Sequence, residues 1–331
     1  MYKQRFFLLA FLLINALPLF SSETANLEPE AIFPPTKNVD FSPDETQLLT
    51  TDSTWTKSGG WGRVILWDRI SEQVIKIFTS NDVVVSDAEF SPDGKWVLGA
   101  TLNAGSYVYD IESESKVCGF GFNTLTFSHD GQKLLSGTIS YMEKNIGIYD
   151  IKAKTYQLFI KHEQFVSAIA FSPDSTMFCS GDWGGALIVW NVNSGDAIYA
   201  LNAHAGYVNS LAYSPDGTKI LSGGADGAAR IWDAKTGAMQ QEILSHEDSI
   251  TSVDYSPDGS MILTGSLDMT ARLWEAESGR LLYAFHHAGK VNSVCFSPLG
   301  HYLATAGEDQ TNIWNMSEVK KLTSIHIWNI F

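Results

Sequence analysis

The sequence predicts an all-β protein, a β-propeller with seven blades. An aromatic residue followed by Ser recurs seven times, and a second aromatic followed by an acidic or amide residue recurs seven times, 40 to 42 residues apart. Self-similarity at this period is typical of repeat folds that stack one supersecondary unit per repeat. The first aromatics are Phe41, Phe90, Phe127, Phe171, Tyr213, Tyr255 and Phe296. The hydrophobic fraction of 44% is sufficient for a sizeable core.

The first element of each unit is a tight turn. Five of the seven aromatic-Ser pairs continue as Pro-Asp, while Phe127 begins FSHD and Phe296 begins FSPL. Pro presets the torsion of the second turn position, Asp bonds back to the backbone, and a following Gly accepts the left-handed conformation. Stretches that alternate in polarity flank the turns, for example VNSLAYS before and ILSGG after. Each turn is therefore expected to close a β-hairpin.

The second element is the aromatic pair that ends each unit. These pairs are Trp67-Asp68, Tyr109-Asp110, Tyr149-Asp150, Trp190-Asn191, Trp232-Asp233, Trp274-Glu275 and Trp314-Asn315. Here the sequence resembles the WD-repeat family over residues 31 to 328. The resemblance implies four strands per unit, and hence a seven-bladed β-propeller of four-stranded antiparallel blades over residues 37–328. One blade cannot bury both faces of its sheet, so a closed ring is expected.

The two ends of the chain are the remaining elements. Residues 1–22 have the order of a signal peptide, with Lys3 and Arg5 before an apolar run, although an uncleaved membrane anchor remains an alternative. An exported protein is expected: secreted, periplasmic or in the secretory pathway. Residues 23–36 are predicted to be a linker or a closing edge segment. The fourth strand of the last blade could come from residues 29–33 or from residues 319–327.

Charge and cysteine content limit the function classes. The formal charge of −15, with no Lys/Arg cluster longer than the pair Lys320 and Lys321, argues against nucleic-acid binding. Each of the three cysteines lies in a strand-like apolar run, so we expect buried free thiols; these are Cys118, Cys179 and Cys295. No cofactor, metal site or disulfide framework is predicted.

Histidines recur once per unit in the later repeats. In the WD-repeat family, a His, a Ser or Thr, an Asp and the Trp form a buried hydrogen-bonded tetrad, and three units match it. The tetrads are His204, Ser222, Asp226, Trp232; His246, Thr264, Asp268, Trp274; and His287, Thr305, Asp309, Trp314. The fourth unit has Gly184 where Asp is expected and Asp182 two residues earlier. Repetition at fixed offsets favours a structural role over a hydrolase triad, so no catalytic residue is predicted.

Candidate binding residues follow from the same resemblance. Family members bind partners on the top face of the disc, at two positions after the tetrad His and one before the tetrad Asp. Carried over, the candidates are Phe165, Ser167, Trp183, Tyr207, Asn209, Ala225, Ser249, Thr251, Leu267, Lys290, Asn292 and Glu308. Phe165, Trp183 and Tyr207 are predicted to form an aromatic cluster on adjacent blades.

A seven-residue insertion in the first unit carries two further candidates. It lies within the stretch TWTKSGGWG, residues 54–62, and places Trp55 and Trp61 in a predicted Gly-rich loop on the top face. They could anchor an interface or fold back onto the blade.

The resemblance implies a non-catalytic scaffold that binds a protein or peptide partner on its top face. The alternative is a propeller enzyme, or a small-ligand or glycan binder, that uses the central channel, where Lys290 and Glu308 could gather.

Overall fold

The computed structural model describes residues 27–56, 59–80, 85–101, 106–120, 124–137, 145–244 and 246–328, and the predicted signal peptide lies outside these ranges. Seven four-stranded antiparallel sheets follow one another around a disc. The predicted seven-bladed β-propeller of four-stranded antiparallel blades is confirmed.

One strand near the N terminus precedes the first three blades, and the last four blades are followed by a helix. The strands up to the third blade are β1 (Ala31–Phe33), β2 (Val39–Phe41), β3 (Gln47–Thr56), β4 (Gly59–Asp68), β5 (Val74–Ser80), β6 (Val85–Phe90), β7 (Trp96–Thr101), β8 (Ser106–Asp110), β9 (Lys116–Phe120), β10 (Thr124–Phe127), β11 (Lys133–Gly137), β12 (Asn145–Asp150) and β13 (Thr155–Lys161). The later elements are β14 (Val166–Phe171), β15 (Met177–Asp182), β16 (Ala186–Asn191), β17 (Ala197–Asn202), β18 (Val208–Tyr213), β19 (Lys219–Gly224), β20 (Ala228–Asp233), β21 (Met239–Leu244), β22 (Ile250–Tyr255), β23 (Met261–Ser266), β24 (Thr270–Glu275), β25 (Leu281–His286), β26 (Val291–Phe296), β27 (Tyr302–Gly307), β28 (Thr311–Asn315) and α1 (Met316–Trp328).

The Ser-Pro-Asp turn joins the first two strands of five blades, and the turns Ser-His-Asp and Ser-Pro-Leu take its place in blades 3 and 7. In blade 5, the Ser214 hydroxyl donates to Asp216 at 2.6 Å and accepts the N–H of Lys219 at 2.9 Å. Gly217 has φ +70°, a conformation that glycine adopts without strain. Hydrogen bonds from Ser214 and Thr218 lower the pKa of the Asp216 carboxyl, which keeps it ionised as the acceptor of the turn.

The first strand of each blade belongs to an inner ring. Strands β2, β6, β10, β14, β18, β22 and β26 contact one another in that order, and β26 contacts β2 again. The outermost strands are β5, β9, β13, β17, β21, β25 and, in the seventh blade, β1. This arrangement places the first strands around the axis of the disc.

The core lies between blades rather than within one of them. At the junction of blades 4 and 5, Leu187 and Val189 pack against Val208 and Tyr213, and all four side chains are buried. Because each blade contributes one face to each of two such layers, its stability depends on both neighbours.

The N terminus closes the ring. Strand β1 pairs with β28 in antiparallel register, Ala31 opposite Ile313 and Phe33 opposite Thr311. Residues 29–33, one of the two predicted sources, thus contain the fourth strand of blade 7. The other source, residues 319–327, lies in α1, because the edge of β28 is already paired and Val319 is buried in an apolar cluster with Leu282.

A second set of contacts joins blade 7 to blade 1. Glu45 occupies the turn position that is Gly or Ser in the other blades and has φ +59°. Its carboxylate accepts the N–H of Leu299 at 2.8 Å and lies 2.8 Å from His301 Nδ1. Arg69 donates to the Glu45 carbonyl at 2.8 Å, and its guanidinium lies 3.9 Å from the centre of the Tyr302 ring.

Candidate functional site

The two ends of the strands define two faces of the disc. Each first strand begins, and each second strand ends, at the face that carries the histidine loops, so this is the top face. The Ser-Pro-Asp turns lie at the opposite end. The candidate binding residues of blades 4 to 7 lie in or beside the top-face ends of these strands, so equivalent positions in the repeat form one surface.

Three blades each bring the four side chains of a predicted tetrad together. In blade 5, His204 Nε2 lies 2.8 Å from Ser222 Oγ, His204 Nδ1 lies 2.8 Å from Asp226, and the Trp232 indole N–H donates to Ser222 at 2.9 Å. Blades 6 and 7 repeat these contacts within 2.7 to 3.0 Å.

The order of donors in a tetrad fixes one histidine tautomer. Because an indole N–H can only donate, the Ser222 hydroxyl accepts from Trp232 and is left to donate to His204 Nε2. His204 Nδ1–H then donates to Asp226. Burial lowers the pKa of the His204 imidazole, so it is neutral at neutral pH. Burial tends to raise the pKa of Asp226, but bonds from Arg230 and His204 outweigh it, and that pKa is lowered.

A Ser–His–Asp set of this geometry matches a hydrolase triad in distance but not in access. Ser222 is 0% exposed, and the equivalent Thr264 and Thr305 are also 0% exposed. A nucleophile must reach the substrate atom that it attacks. These hydroxyls are instead enclosed beneath their tryptophan side chains and already accept an indole N–H.

Blade 4 has a displaced aspartate near its histidine. His162 Nε2 lies 3.2 Å from Ser180 Oγ, and Trp190 donates to Ser180 at 2.8 Å, as in the complete tetrads. Gly184 stands where Asp was expected, but Asp182 Oδ2 lies 3.6 Å from His162 Nδ1. Asp182 also accepts the N–H groups of Gly184 and Ala186, so its carboxylate organises the top-face turn.

The aromatic cluster predicted across blades 4 and 5 is assembled in the structure. The Trp183 and Tyr207 rings stack with centroids 5.1 Å apart and an interplanar angle of 27°. Phe165 packs edge-on against Trp183 at 5.0 Å. Trp183 is 38% exposed and Tyr207 is 48% exposed, so the stacked pair presents ring surface to solvent.

The backbone holds this cluster in place. The Trp183 N–H donates to the Phe165 carbonyl at 3.0 Å, and the Ala225 N–H donates to the Tyr207 carbonyl at 2.9 Å. Asp182, directly before Trp183, is buried with its carboxylate in the turn. The aromatic surface therefore rests on a hydrogen-bonded support.

A set of candidate top-face residues ties blades together. Ser167 donates to the Val208 carbonyl at 2.6 Å, and Asn209 donates to the Ile250 carbonyl at 2.7 Å. The next two positions act in the same way, with Thr251 on the Val291 carbonyl at 2.9 Å and Asn292 on the Thr36 carbonyl at 2.9 Å. The side chains five residues beyond each His thus join inner strands, and the binding role of Asn209 and Asn292 stays a prediction.

The other top-face candidates lie apart from the aromatic cluster. Lys290 and Glu308 are exposed on blade 7, linked by the Glu308 N–H to the Lys290 carbonyl at 2.9 Å. Glu308 lies 3.8 Å from Lys37 Nζ of blade 1. Ser249, Leu267 and Ala225 are half-buried.

The insertion in the first unit is a hairpin rather than the predicted loop. Strands β3 and β4 have ten residues each, against five or six in the corresponding strands of other blades. Their pairing continues from Gln47 opposite Asp68 to Thr56 opposite Gly59, with Trp61 opposite Thr54. Because the backbone pairs continuously along both strands, the inserted residues extend the hairpin and do not form a loop. Trp55 and Trp61 lie in these strands, and their side chains are outside the described part of the structure.

Sequence reasoning missed a set of carboxyl groups in the inner ring. Asp40 accepts the N–H of Phe90 in the next blade at 2.8 Å, and Asp254 accepts the N–H of Phe296 in the next blade at 2.7 Å. Burial raises the pKa of both carboxyls to about 7, although the backbone N–H groups oppose it. The sequence does carry a signal for these buried carboxyls: an acidic residue stands between two apolar residues of an inner strand, as in VDF and VDY.

Two more inner-ring carboxyls lie in blade 2. Asp87 accepts from the Asn38 side chain at 2.5 Å, and burial raises its pKa to about 6. Glu89 accepts from the Thr126 hydroxyl at 3.2 Å, and burial with the charges of Asp40 and Asp87 raises its pKa well above the usual value. These carboxyls bridge neighbouring blades.

The cysteines differ from the expectation of three buried thiols. Cys179 is 0% exposed, whereas Cys118 and Cys295 are half-buried. Cys295 lies in the inner ring, where its thiol donates to the Val39 carbonyl at 3.4 Å. Inner-strand positions alternate between the blade interface and the axis, which leaves Cys295 partly accessible. Within the described ranges, no group of His, Cys, Asp and Glu side chains could hold a metal ion, and no helix could span a bilayer.

Comparison with known proteins gives a consistent result. A family model described as "WD domain, G-beta repeat" matches residues 153–191, 195–233, 237–275 and 279–315. The chain is similar to guanine nucleotide-binding protein subunit beta-5b of Danio rerio, 30% identical over 31% of this chain and 27% of that protein. It is also similar to subunit beta-2 of Caenorhabditis elegans, 28% identical over 32% and 30% of the two chains.

A longer match is found in yeast. The guanine nucleotide-binding protein subunit beta of Saccharomyces cerevisiae is 24% identical over 50% of this chain and 38% of that protein. The chain thus spans between 27% and 38% of the length of these three curated relatives.

Proposed function

Because this chain belongs to the WD-repeat β-propeller family, we propose that it is a non-catalytic scaffold that binds a protein or peptide partner on its top face. The observation that carries the proposal is the exposed aromatic cluster of Phe165, Trp183 and Tyr207. Large aromatic side chains in a supported position are the residues that most often dominate the energy of protein interfaces.

Two further observations support a scaffold. The similar proteins are named as subunits, which describes components of assemblies. The triad-like sets in blades 5 to 7 repeat at fixed offsets with enclosed hydroxyls, which is the arrangement expected of structural contacts.

The proposal is tested by affinity capture with the full chain as bait. The double variant Trp183→Ala/Tyr207→Ala removes the stacked pair, and it should lose partners that the wild-type chain retains. The matched control is Met239→Ala/Leu299→Ala, because these side chains are 54% and 60% exposed and lie away from the top-face cluster. Loss of partners by the control alone, or an unchanged partner set for both variants, contradicts top-face binding.

A second candidate function uses the central channel. The inner-ring carboxyls Asp40, Asp87 and Asp254, with pKa values raised to about 7, 6 and 7, are the kind of perturbed groups that also occur at ligand-binding and catalytic sites. Their bonds to neighbouring blades favour a structural role. If a small ligand or glycan binds there, Asp40→Asn/Asp254→Asn should abolish its binding while the top-face variant retains it.

Export of the chain is part of the proposal. Its support is the order of residues 1–22, with Lys3 and Arg5 before an apolar run. N-terminal sequencing of the protein produced in its own cells tests it, and the expected first residue lies after position 20. Recovery of a chain that begins at Met1 from a soluble cytosolic fraction contradicts export.

A further inference from the structure

The exposed aromatic pair on the top face has the geometry of a platform for a flat group. Trp183 and Tyr207 stack at 5.1 Å with their planes 27° apart, and both keep more than a third of their surface exposed. The faces of aromatic rings are negative and their edges positive, so an exposed face attracts a cation. An arginine guanidinium is planar and weakly hydrated, and it stacks on such a face better than an ammonium group does.

The loops around the platform carry acidic side chains. Lys290 is the one Lys or Arg in the described top-face loops of blades 4 to 7. These loops are residues 162–165, 183–185, 203–207, 225–227, 246–249, 267–269, 287–290 and 308–310. Two exposed carboxylates of these loops face cations, Asp226 with Arg230 at 2.8 Å and Glu308 with Lys37 at 3.8 Å. The other exposed acidic residues are Glu163, Glu247 and Asp248. The formal charge of −15 has the same sign.

The acidic loops adjoin the platform. Glu163 lies two residues before Phe165 in the blade 4 loop. The blade 6 loop that holds Glu247 and Asp248 is joined to the platform's blade, because Asn209 donates to Ser249 at 2.8 Å. A cation seated on the rings would therefore lie in a negative field that lowers the free energy of the bound state.

We propose that the top face recognises a basic peptide segment, with an arginine side chain stacked on Trp183 and Tyr207 and neighbouring basic residues facing the acidic loops. This inference rests on the proposed function and specifies the chemistry of the partner. Charge complementarity and the stacking surface identify the occupant.

The test uses three labelled peptides of about nine residues: repeats of Gly-Ser-Arg, the same peptide with citrulline in place of each Arg, and the same with Glu. Citrulline keeps the shape of the side chain and removes its charge. Measured by fluorescence anisotropy at low salt, the Arg peptide should bind about tenfold or more tightly than the citrulline peptide, and the Glu peptide should not bind. Equal affinities, or no binding of any peptide, overturn the proposal.

Variants locate the site. Trp183→Ala should weaken Arg-peptide binding about tenfold, while Met239→Ala, which removes a 54% exposed side chain elsewhere, should leave it unchanged. Glu247→Gln/Asp248→Asn should weaken binding and reduce its salt dependence. Far-ultraviolet circular dichroism shows that each variant is folded. Equal effects of Trp183→Ala and Met239→Ala on Arg-peptide binding overturn the placement of the arginine site on the aromatic pair. If partners are captured through the aromatic pair but show no selectivity for arginine, this inference fails while the proposed scaffold function stands.

Discussion

The indole N–H of each tetrad tryptophan determines what the interior of its blade must contain. Trp274 is 6% exposed, so its N–H needs a buried acceptor, and Thr264 supplies it at 3.0 Å. That hydroxyl must then donate in turn, to His246 Nε2 at 2.7 Å, and His246 passes its other N–H to Asp268 at 2.8 Å. A chain of donors that begins in the core thus ends at a carboxylate near the top face.

The first prediction removes the central hydroxyl of this chain. Thr264→Val keeps the shape of the side chain but leaves the Trp274 N–H and His246 Nε2 without their partner, and it should lower the free energy of unfolding by about 2–4 kcal/mol. Thr155→Val, on an exposed threonine of β13, is the control and should change it by less than about 0.5 kcal/mol. Urea unfolding measures both. Equal effects would show that the tetrad hydroxyl has no special role.

The second prediction concerns the left-handed residue at the ring closure. Glu45 and Ser175 occupy the same turn position with φ +59° and +56°, where most other blades have Gly. Either residue gains conformational relief when it is replaced by Gly, but only Glu45→Gly loses charge-assisted bonds to Leu299 and His301. Glu45→Gly should therefore cost about 1.5–3 kcal/mol more than Ser175→Gly. A smaller cost for Glu45→Gly contradicts its bridging role.

At the scale of single elements, sequence patterns predicted the strands and turns well but did not fully determine which strands pair with each other. The Ser-Pro-Asp turns and alternating strands were readable because local chemistry specifies them. The choice of β1 over residues 319–327 as closing strand was not, because both segments have apolar residues and only competition for the β28 edge decides. The Gly-rich insertion has a different explanation: Gly and Ser residues favour a loop, whereas its two halves pair with each other as a local hairpin.

In the candidate site too, the sequence predicted some contacts and missed others. Phe165, Trp183 and Tyr207 came together because the repeat places equivalent positions side by side, so a one-dimensional period predicted a three-dimensional cluster. The interblade bonds of Asn209 and Asn292 could not be seen, because their acceptors are backbone carbonyls about forty residues or more away in sequence.

The third prediction tests the closing strand. Phe33 is 2% exposed and contacts Trp67 with ring centroids 5.4 Å apart, whereas its neighbour Ile32 points to the opposite face and is 50% exposed. Phe33→Ala should destabilise the disc by about 3–5 kcal/mol, and Ile32→Ala by less than about 1 kcal/mol. The measurement is the midpoint of urea unfolding at constant slope. Similar small effects would mean that β1 does not seal blade 7.

The fourth prediction concerns the inner-ring carboxyls. Burial raises the pKa of Asp254 in the folded chain from the ordinary 3.8 to about 7. Its stabilising contribution is thus full below pH 4 and is lost as the pH rises towards 7. The free energy of unfolding of the wild type minus that of Asp254→Asn should therefore fall by about 2–3 kcal/mol between pH 5 and pH 8. Asn202→Ser, an exposed substitution that adds or removes no titratable group, is the control and should give a difference that does not change with pH. A difference for Asp254→Asn that rises with pH contradicts a buried, protonated carboxyl.

At the scale of the whole molecule, the structural contacts between blades and the proposed binding surface occupy different positions in the disc. Polar groups between blades, such as Asp40 with Phe90 and Asn292 with Thr36, hold the ring. The exposed rings of Trp183 and Tyr207 take no part in those bonds and are free to contact a partner. This division allows the top face to vary without loss of the fold, as expected for function placed on a stable framework.

The most direct test of top-face binding is hydrogen–deuterium exchange of the chain with and without a captured partner. We expect partner-dependent protection in residues 163–167, 182–185 and 205–209, the segments that carry and support the aromatic cluster. The Ser-Pro-Asp turns on the opposite face, such as residues 214–219, should exchange equally in both states. Protection confined to those turns or to the outer strands, with the aromatic segments unchanged, would contradict the account.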